Sequence, residues 1–114
     1  ASYRRQRQMC IRDSSSGNIY VTGYTSGLEN YIGLDGNTSL GSTDIFLVKY
    51  DSSGTKKWTK QFGTSSSDEG TGVTTDSSGN IYVTGKTSGN LDANTSSGGE
   101  DIFLVKFNSD GVKQ

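Results

Sequence analysis

The chain has no histidine and no proline, one cysteine, one methionine and one tryptophan among its 114 residues. Without histidine, and without a Gly-x-Ser-x-Gly elbow, the usual nucleophile–base pairs cannot be assembled. No Gly-Lys-Ser/Thr follows a glycine-rich stretch, so no phosphate cradle is encoded. No run of 18 apolar residues exists, so nothing in it reads as a membrane-spanning helix. The net charge is −1, which leaves no basic footprint for nucleic acid. Only 29% of the residues are hydrophobic. So low a fraction normally signals disorder, but here the apolar residues are gathered into short runs, and the runs recur.

The recurrence organises everything else. Ser15-Ser-Gly-Asn-Ile-Tyr-Val-Thr-Gly23 returns unchanged as Ser77 to Gly85, an offset of 62 residues. Asp44-Ile-Phe-Leu-Val-Lys49 returns as Asp101 to Lys106, an offset of 57. The difference is a five-residue insertion, placed at Leu28 to Ile32. Self-similarity at such a period is the mark of a repeat architecture.

One stretch stands apart. Residues 4–14 hold every arginine, the cysteine and the methionine. They resemble the in-frame translation of a transposase-type sequencing-library adapter; a basic nucleic-acid arm and a targeting segment are the alternatives. Residues 1–14 are therefore expected to be non-native and disordered, and are set aside when the fold is read. From residue 15 onward, seven lysines face eleven Asp and Glu, a net charge of −4, and no cysteine remains for a disulfide. The repeat at Ser15 starts in mid-unit, so the chain is read as a piece of a longer protein.

Asn18 to Thr25 alternates Ile19 and Val21 with Tyr20 and Thr22, the period of a half-buried strand, B. Asp44 to Tyr50 is strand C, and its continuous Ile-Phe-Leu-Val run predicts cover on both faces. Lys56 to Gly63 is strand D, with Trp58, Lys60 and Phe62 on one side. Its lysines suit an outer edge, where charge discourages further pairing. Thr71 to Asp76 is a short strand A of the next repeat, followed by B over Ile81 to Lys86 and C over Asp101 to Phe107. Asp-Ser-Ser-Gly and Asn-Ser-Asp-Gly punctuate the strands as tight turns. The chain thus divides into a partial unit B-C-D over 15–63 and a partial unit A-B-C over 64–114.

Four-stranded antiparallel sheets repeated about an axis make a β-propeller. A parallel β-helix and a β-sandwich are the competing all-β architectures, but the former usually repeats over shorter coils and the latter does not repeat so closely. Gly-x-x-x-Asp-Ser-Ser-Gly-Asn-Ile-Tyr-Val-Thr-Gly with Asp-Ile-Phe-Leu-Val-Lys resembles the bacterial β-propeller repeat family abbreviated SBBP, over Ser15 to Gln114. The resemblance implies a secreted or cell-surface setting in bacteria or archaea, usually without a known biochemical activity. A whole propeller of such units would need about 230–460 residues.

In an up-and-down sheet the A–B and C–D turns share one end, and the B–C and D–A loops share the other. The first pair is short and nearly invariant. The second is long and holds the insertion, so recognition is expected there. The candidate binding residues are Tyr31, Asp35, Asn37, Asp68, Glu69, Asp92, Asn94 and Glu100. Tyr31 and Ile32 either tuck onto the sheet edge or stand exposed for a partner. Asp35-x-Asn37-x-Ser39 and Asp92-x-Asn94-x-Ser96 have the alternate-oxygen spacing of calcium loops. They lack the following glycine and the acidic twelfth position, where Phe46 and Phe103 stand, so no cofactor is assigned. Asn37 and Asn94 also begin Asn-x-Ser sequons, of use only in a host that glycosylates them. Neighbouring carboxylates at Asp68/Glu69 and Glu100/Asp101 are the pairs that glycoside cleavage could use. The expected function is a non-catalytic extracellular scaffold binding protein or glycan partners, with further blades of the same parent chain beside it. The alternative is part of a propeller-type glycosidase or polysaccharide lyase.

Overall fold

The computed structural model describes residues 5–14, 16–26, 43–91, 95 and 98–114, and of residues 5–10, 12 and 26 the backbone alone. Among the described residues seven strands follow one another: β1 (Arg5–Asp13), β2 (Ile19–Ser26), β3 (Asp44–Tyr50), β4 (Lys56–Phe62), β5 (Asp68–Thr75), β6 (Ile81–Thr87) and β7 (Asp101–Phe107). They form two antiparallel up-and-down sheets, β1-β2-β3-β4 and β5-β6-β7. The all-β class and the meander within each repeat are as the alternation predicts.

One kind of turn recurs four times. Asp51 Oδ1 accepts from the backbone N–H of Ser53 and Thr55, both at 2.9 Å. Asp76 Oδ1 accepts likewise from Ser78 and Asn80, and Asn108 Oδ1 from Asp110 and Val112. Ser14 Oγ takes the same part toward Asn18 N–H at 3.1 Å. The fourth position is glycine each time, at φ +81°, +86°, +85° and +83° for Gly17, Gly54, Gly79 and Gly111. That left-handed conformation is why Ser-Ser-Gly and its variants recur there.

The two sheets pack face to face. The face of the first that carries Tyr20, Ile45, Leu47 and Phe62 meets the face of the second that carries Val73, Ile81, Val83, Phe103, Val105 and Phe107 in one apolar core. Phe62 stands edge-on to Phe103 at 6.4 Å and leans on Phe107 at 5.3 Å. Trp58 packs against this core from the outer strand, 6.4 Å from the Tyr20 ring, as a cap between neighbouring sheets. β5 runs against β1, β2 and β3. At Gly70 it comes so close that a β-carbon would stand 2.7 Å from Thr22 Oγ1 and 3.0 Å from the Gly23 carbonyl, so only glycine fits.

Two expectations are corrected. Arg5–Asp13, expected to be disordered, is a strand: its backbone pairs with β2 from Arg5↔Ser26 to Asp13↔Ile19, with an irregularity between Gln6 and Met9. The inner edge of β2 needs a pairing partner, and an extended backbone of any sequence can supply it. The first sheet therefore has four strands. Second, β5 starts at Asp68 and not at Thr71, which shortens the preceding loop and puts Asp68 and Glu69 on a strand. β3 is buried along Asp44 to Val48, whereas β7 alternates buried and exposed residues.

Candidate functional site

The two ends of the sheet pair differ in chemistry. At the end of the tight turns, polar groups are spent on one another. Asp76 illustrates it: besides the two backbone donors, Asn80 Nδ2 and Tyr82 Oη both donate to its Oδ2 at 3.0 Å. The Asn80 side-chain and backbone bonds, aided by those from Tyr82 and Ser78, hold the carboxyl down at about 2. The same bond raises Tyr82. Asp51 is lowered by Ser53 and Thr55 in the same way. Four donors saturate the Asp76 carboxylate, so its turn spends that side chain on fixing the backbone.

The opposite end carries Asp68, Glu69 and Glu100. Asp68, the first residue of β5, is fully buried. Its Oδ2 accepts from Thr64 N–H at 2.7 Å, the Thr64 hydroxyl donates to both carboxylate oxygens, and Thr87 Oγ1 donates to Oδ1. Its own N–H donates to the Thr43 carbonyl, and Thr43 bridges Ser67 in parallel. Asp68 thus fastens the connection after β4 and the start of β3 to the second sheet. A buried carboxylate tolerates burial when such donors surround it. Asp44 is equally buried, accepting from Gln61 Nε2 at 3.0 Å. Oxygens of both carboxylates reach within 3.0 Å of where a Gly63 β-carbon would stand, so position 63 must lack one. Asp44 opens the first Asp-Ile-Phe-Leu-Val-Lys block as Asp101 opens the second, and this recurrence was the signal that could have marked Asp44 as a structural residue of the repeat.

Glu69 points the other way, because successive strand residues alternate faces. It lies opposite Lys86, whose Nζ is 3.7 Å from Glu69 and 3.4 Å from Glu100. Glu100 first, then Glu69, raises the Lys86 amine. The structure therefore joins Glu69 with Glu100 through Lys86 on an open face, and separates Asp68 from Glu69. The pair read from sequence as Asp68/Glu69 is thus divided, with Asp68 buried between the sheets and Glu69 on the opposite face of β5. Tyr31, Asp35, Asn37, Asp92 and Asn94 lie outside the described residues. Among the described residues no group of three His, Cys, Asp or Glu is placed to hold a metal ion, and no helix is long and apolar enough to cross a membrane.

Comparison with known proteins agrees with this geometry. Residues 57–92, which run from β4 through β6 into the following loop, match the model of the SBBP β-propeller repeat. The chain is also 35% identical over 79 residues to regulatory protein FlaEY of Caulobacter vibrioides, a stretch that makes up 67% of this chain and 8% of that protein.

Proposed function

Because the chain carries the SBBP β-propeller repeat, we propose that it is a non-catalytic recognition scaffold, working outside the cell or at its surface and binding a protein or a glycan. The β-propeller scaffold is given by the repeat and the stacked sheets. The recognition role rests above all on the asymmetry of the two ends. One end is made of tight turns whose Asp and Asn side chains bind their own backbone, and the other carries the Glu69–Lys86–Glu100 ion group and, by sequence, the variable loops. Long variable loops on a rigid frame are where binding residues concentrate. Asp35, Asn37, Asp92 and Asn94 belong to those loops by sequence, with Tyr31 as their aromatic. The extracellular setting follows from the family resemblance. The parting of Asp68 from Glu69 weighs against the glycosidase or lyase reading.

The test is a binding screen of the whole chain against an array of bacterial surface polysaccharides and an array of surface proteins. Saturable binding that is lost in the Asp35→Ala/Asn37→Ala and Asp92→Ala/Asn94→Ala variants, at unchanged melting temperature, supports the scaffold. New reducing or unsaturated ends appearing in a polysaccharide would overturn it in favour of an enzyme. Binding unaffected by both loop variants would move the site off the loop end.

A further inference from the structure

Two fully buried carboxylates, one from each sheet, converge beside Gly63. Asp44 opens β3 and Asp68 opens β5. A β-carbon on Gly63 would stand 3.0 Å from Asp44 Oδ1 and 2.6 Å from Asp68 Oδ2, so these two oxygens face one point, and the glycine leaves it clear. Hydrogen bonds hold the carboxylates in that pose. Gln61 Nε2 donates to the other oxygen of Asp44 at 3.0 Å, and Thr87 Oγ1 donates to the other oxygen of Asp68. Asp68 Oδ2 takes the Thr64 N–H as well and keeps a lone pair for a further partner. Two like charges brought together out of water repel unless a proton or a cation comes between them.

A second observation comes from a different strand. Thr25 lies opposite Asp44 in the β2–β3 register, so the two side chains leave the sheet on the same face, side by side. Thr25 is fully buried, and among the described residues its hydroxyl has no hydrogen-bond partner. One repeat later the same residue, Thr87, spends its hydroxyl on Asp68. A buried polar group left without a partner marks a place where an ion or a water belongs.

We propose that Asp44 and Asp68 are the carboxylate ligands of a calcium site beside Gly63, with the Thr25 hydroxyl holding a water of the ion's shell. The donors are oxygens throughout, without nitrogen or sulfur, which selects a hard cation over zinc or copper. Calcium–oxygen bonds run about 2.3–2.6 Å in an adaptable geometry, so one ion spans the two oxygens with small adjustments. Magnesium demands a near-ideal octahedron of shorter bonds, which two carboxylates from different sheets do not prearrange. β2 and β4 flank β3 on opposite sides, so Thr25 reaches an ion beside Gly63 through water and not directly. The ion ties β3 to β5 across the junction that the Thr43–Ser67 bridge also closes. It draws on neither Asp-x-Asn-x-Ser stretch, and it goes beyond the recognition role without resting on it.

The probe is calcium chloride, added to the whole chain after exhaustive chelation. Chelation should lower the melting temperature and calcium should restore it, with calorimetric titration giving one site per chain. Magnesium at the same concentration should restore it less. Asp44→Asn and Asp68→Asn should each weaken calcium binding by about tenfold or more, since each removes a ligand charge. Should either variant fail to fold, Thr25→Val decides. It removes a hydroxyl that bonds nothing in the protein, so the chelated variant should melt as the chelated parent does, while calcium affinity falls by about tenfold. Asp110→Asn, in an exposed turn at the other end, should leave the calcium response unchanged. No effect of calcium at about 10 mM, beyond the range of the weakest calcium modules, would overturn the proposal. So would full-strength binding in Asp44→Asn or Thr25→Val, or equal stabilisation by sodium chloride at matched ionic strength. A chain that binds calcium here yet nothing on the arrays would sink the recognition role and leave this inference standing.

Discussion

Ile45 is enclosed by two sheets and Ile102 faces water, so truncating each side chain should have very different consequences. Ile45→Ala should cost about 2–5 kcal/mol, the range for emptying a packed aliphatic site. Ile102→Ala in the same chain should cost less than about 0.5 kcal/mol, as surface changes do. Chemical denaturation of the two variants measures both, and similar losses would mean that β7 is covered. Asp68→Ala should remove about 1–3 kcal/mol, since it leaves the Thr64 N–H and the Thr87 hydroxyl without their acceptor. An unchanged midpoint would show that water replaces the carboxylate. For Asp76 the pH dependence has a definite sign. Its folded carboxyl sits at about 2 against an ordinary 3.8, so its contribution is complete above about pH 3.8 and fades as pH falls toward 2. Asp76→Asn keeps an acceptor for the two turn amides, as Asn108 does in its own turn. The variant should therefore fold normally and show a weaker loss of stability between about pH 4 and 2. An NMR titration of Asp76 with a midpoint near 4 would show the turn bonds to be weak.

At the scale of elements, the strands and turns read directly from the chain, and the exceptions have physical causes. β3 and β7 were legible to the residue, because a continuous apolar run ends in Asx-x-x-Gly on each occasion. β5 was read three residues too short. Asp68, Glu69 and Gly70 have low strand propensity, and only the pairing with Thr87, Lys86 and Gly85 makes them strand. The residues that Asp68 holds together come from separate places in the chain, so a sequence reading could name Asp68 as a polar candidate but could not see it buried. β1 was missed altogether, since its composition is foreign to the repeat. Pairing along β2 satisfies its backbone whatever its side chains are. Removing residues 1–13 should lower the melting temperature, at roughly 4–8 °C per kcal/mol lost for a domain of this size. No change on truncation would mean that β1 pairs without net stabilisation. Deleting Leu28 to Ile32 should leave the thermal transition intact, because the sequence of the second repeat lacks those residues.

At the scale of the whole molecule, the repeat itself could be read without a structure: recurring blocks specify like strands in like order, and alternating apolar residues specify a face for each. Which face is buried, and by what, could not. The same Asp-Ile-Phe-Leu-Val-Lys is core in β3 and half surface in β7, because burial depends on the presence of a neighbour and not on the strand's own residues. Legible in the sequence alone were β2, β3, β4, β6 and β7, the turns with their left-handed glycines, and the propeller-type repeat. These follow from local sterics and from the two-residue period of a strand. The tertiary structure alone decided that Asp68 is a buried fastener, that Glu69 joins Glu100 across Lys86, and that one apolar face remains open. These are relations between residues distant in the chain, fixed only when one sheet lies on another.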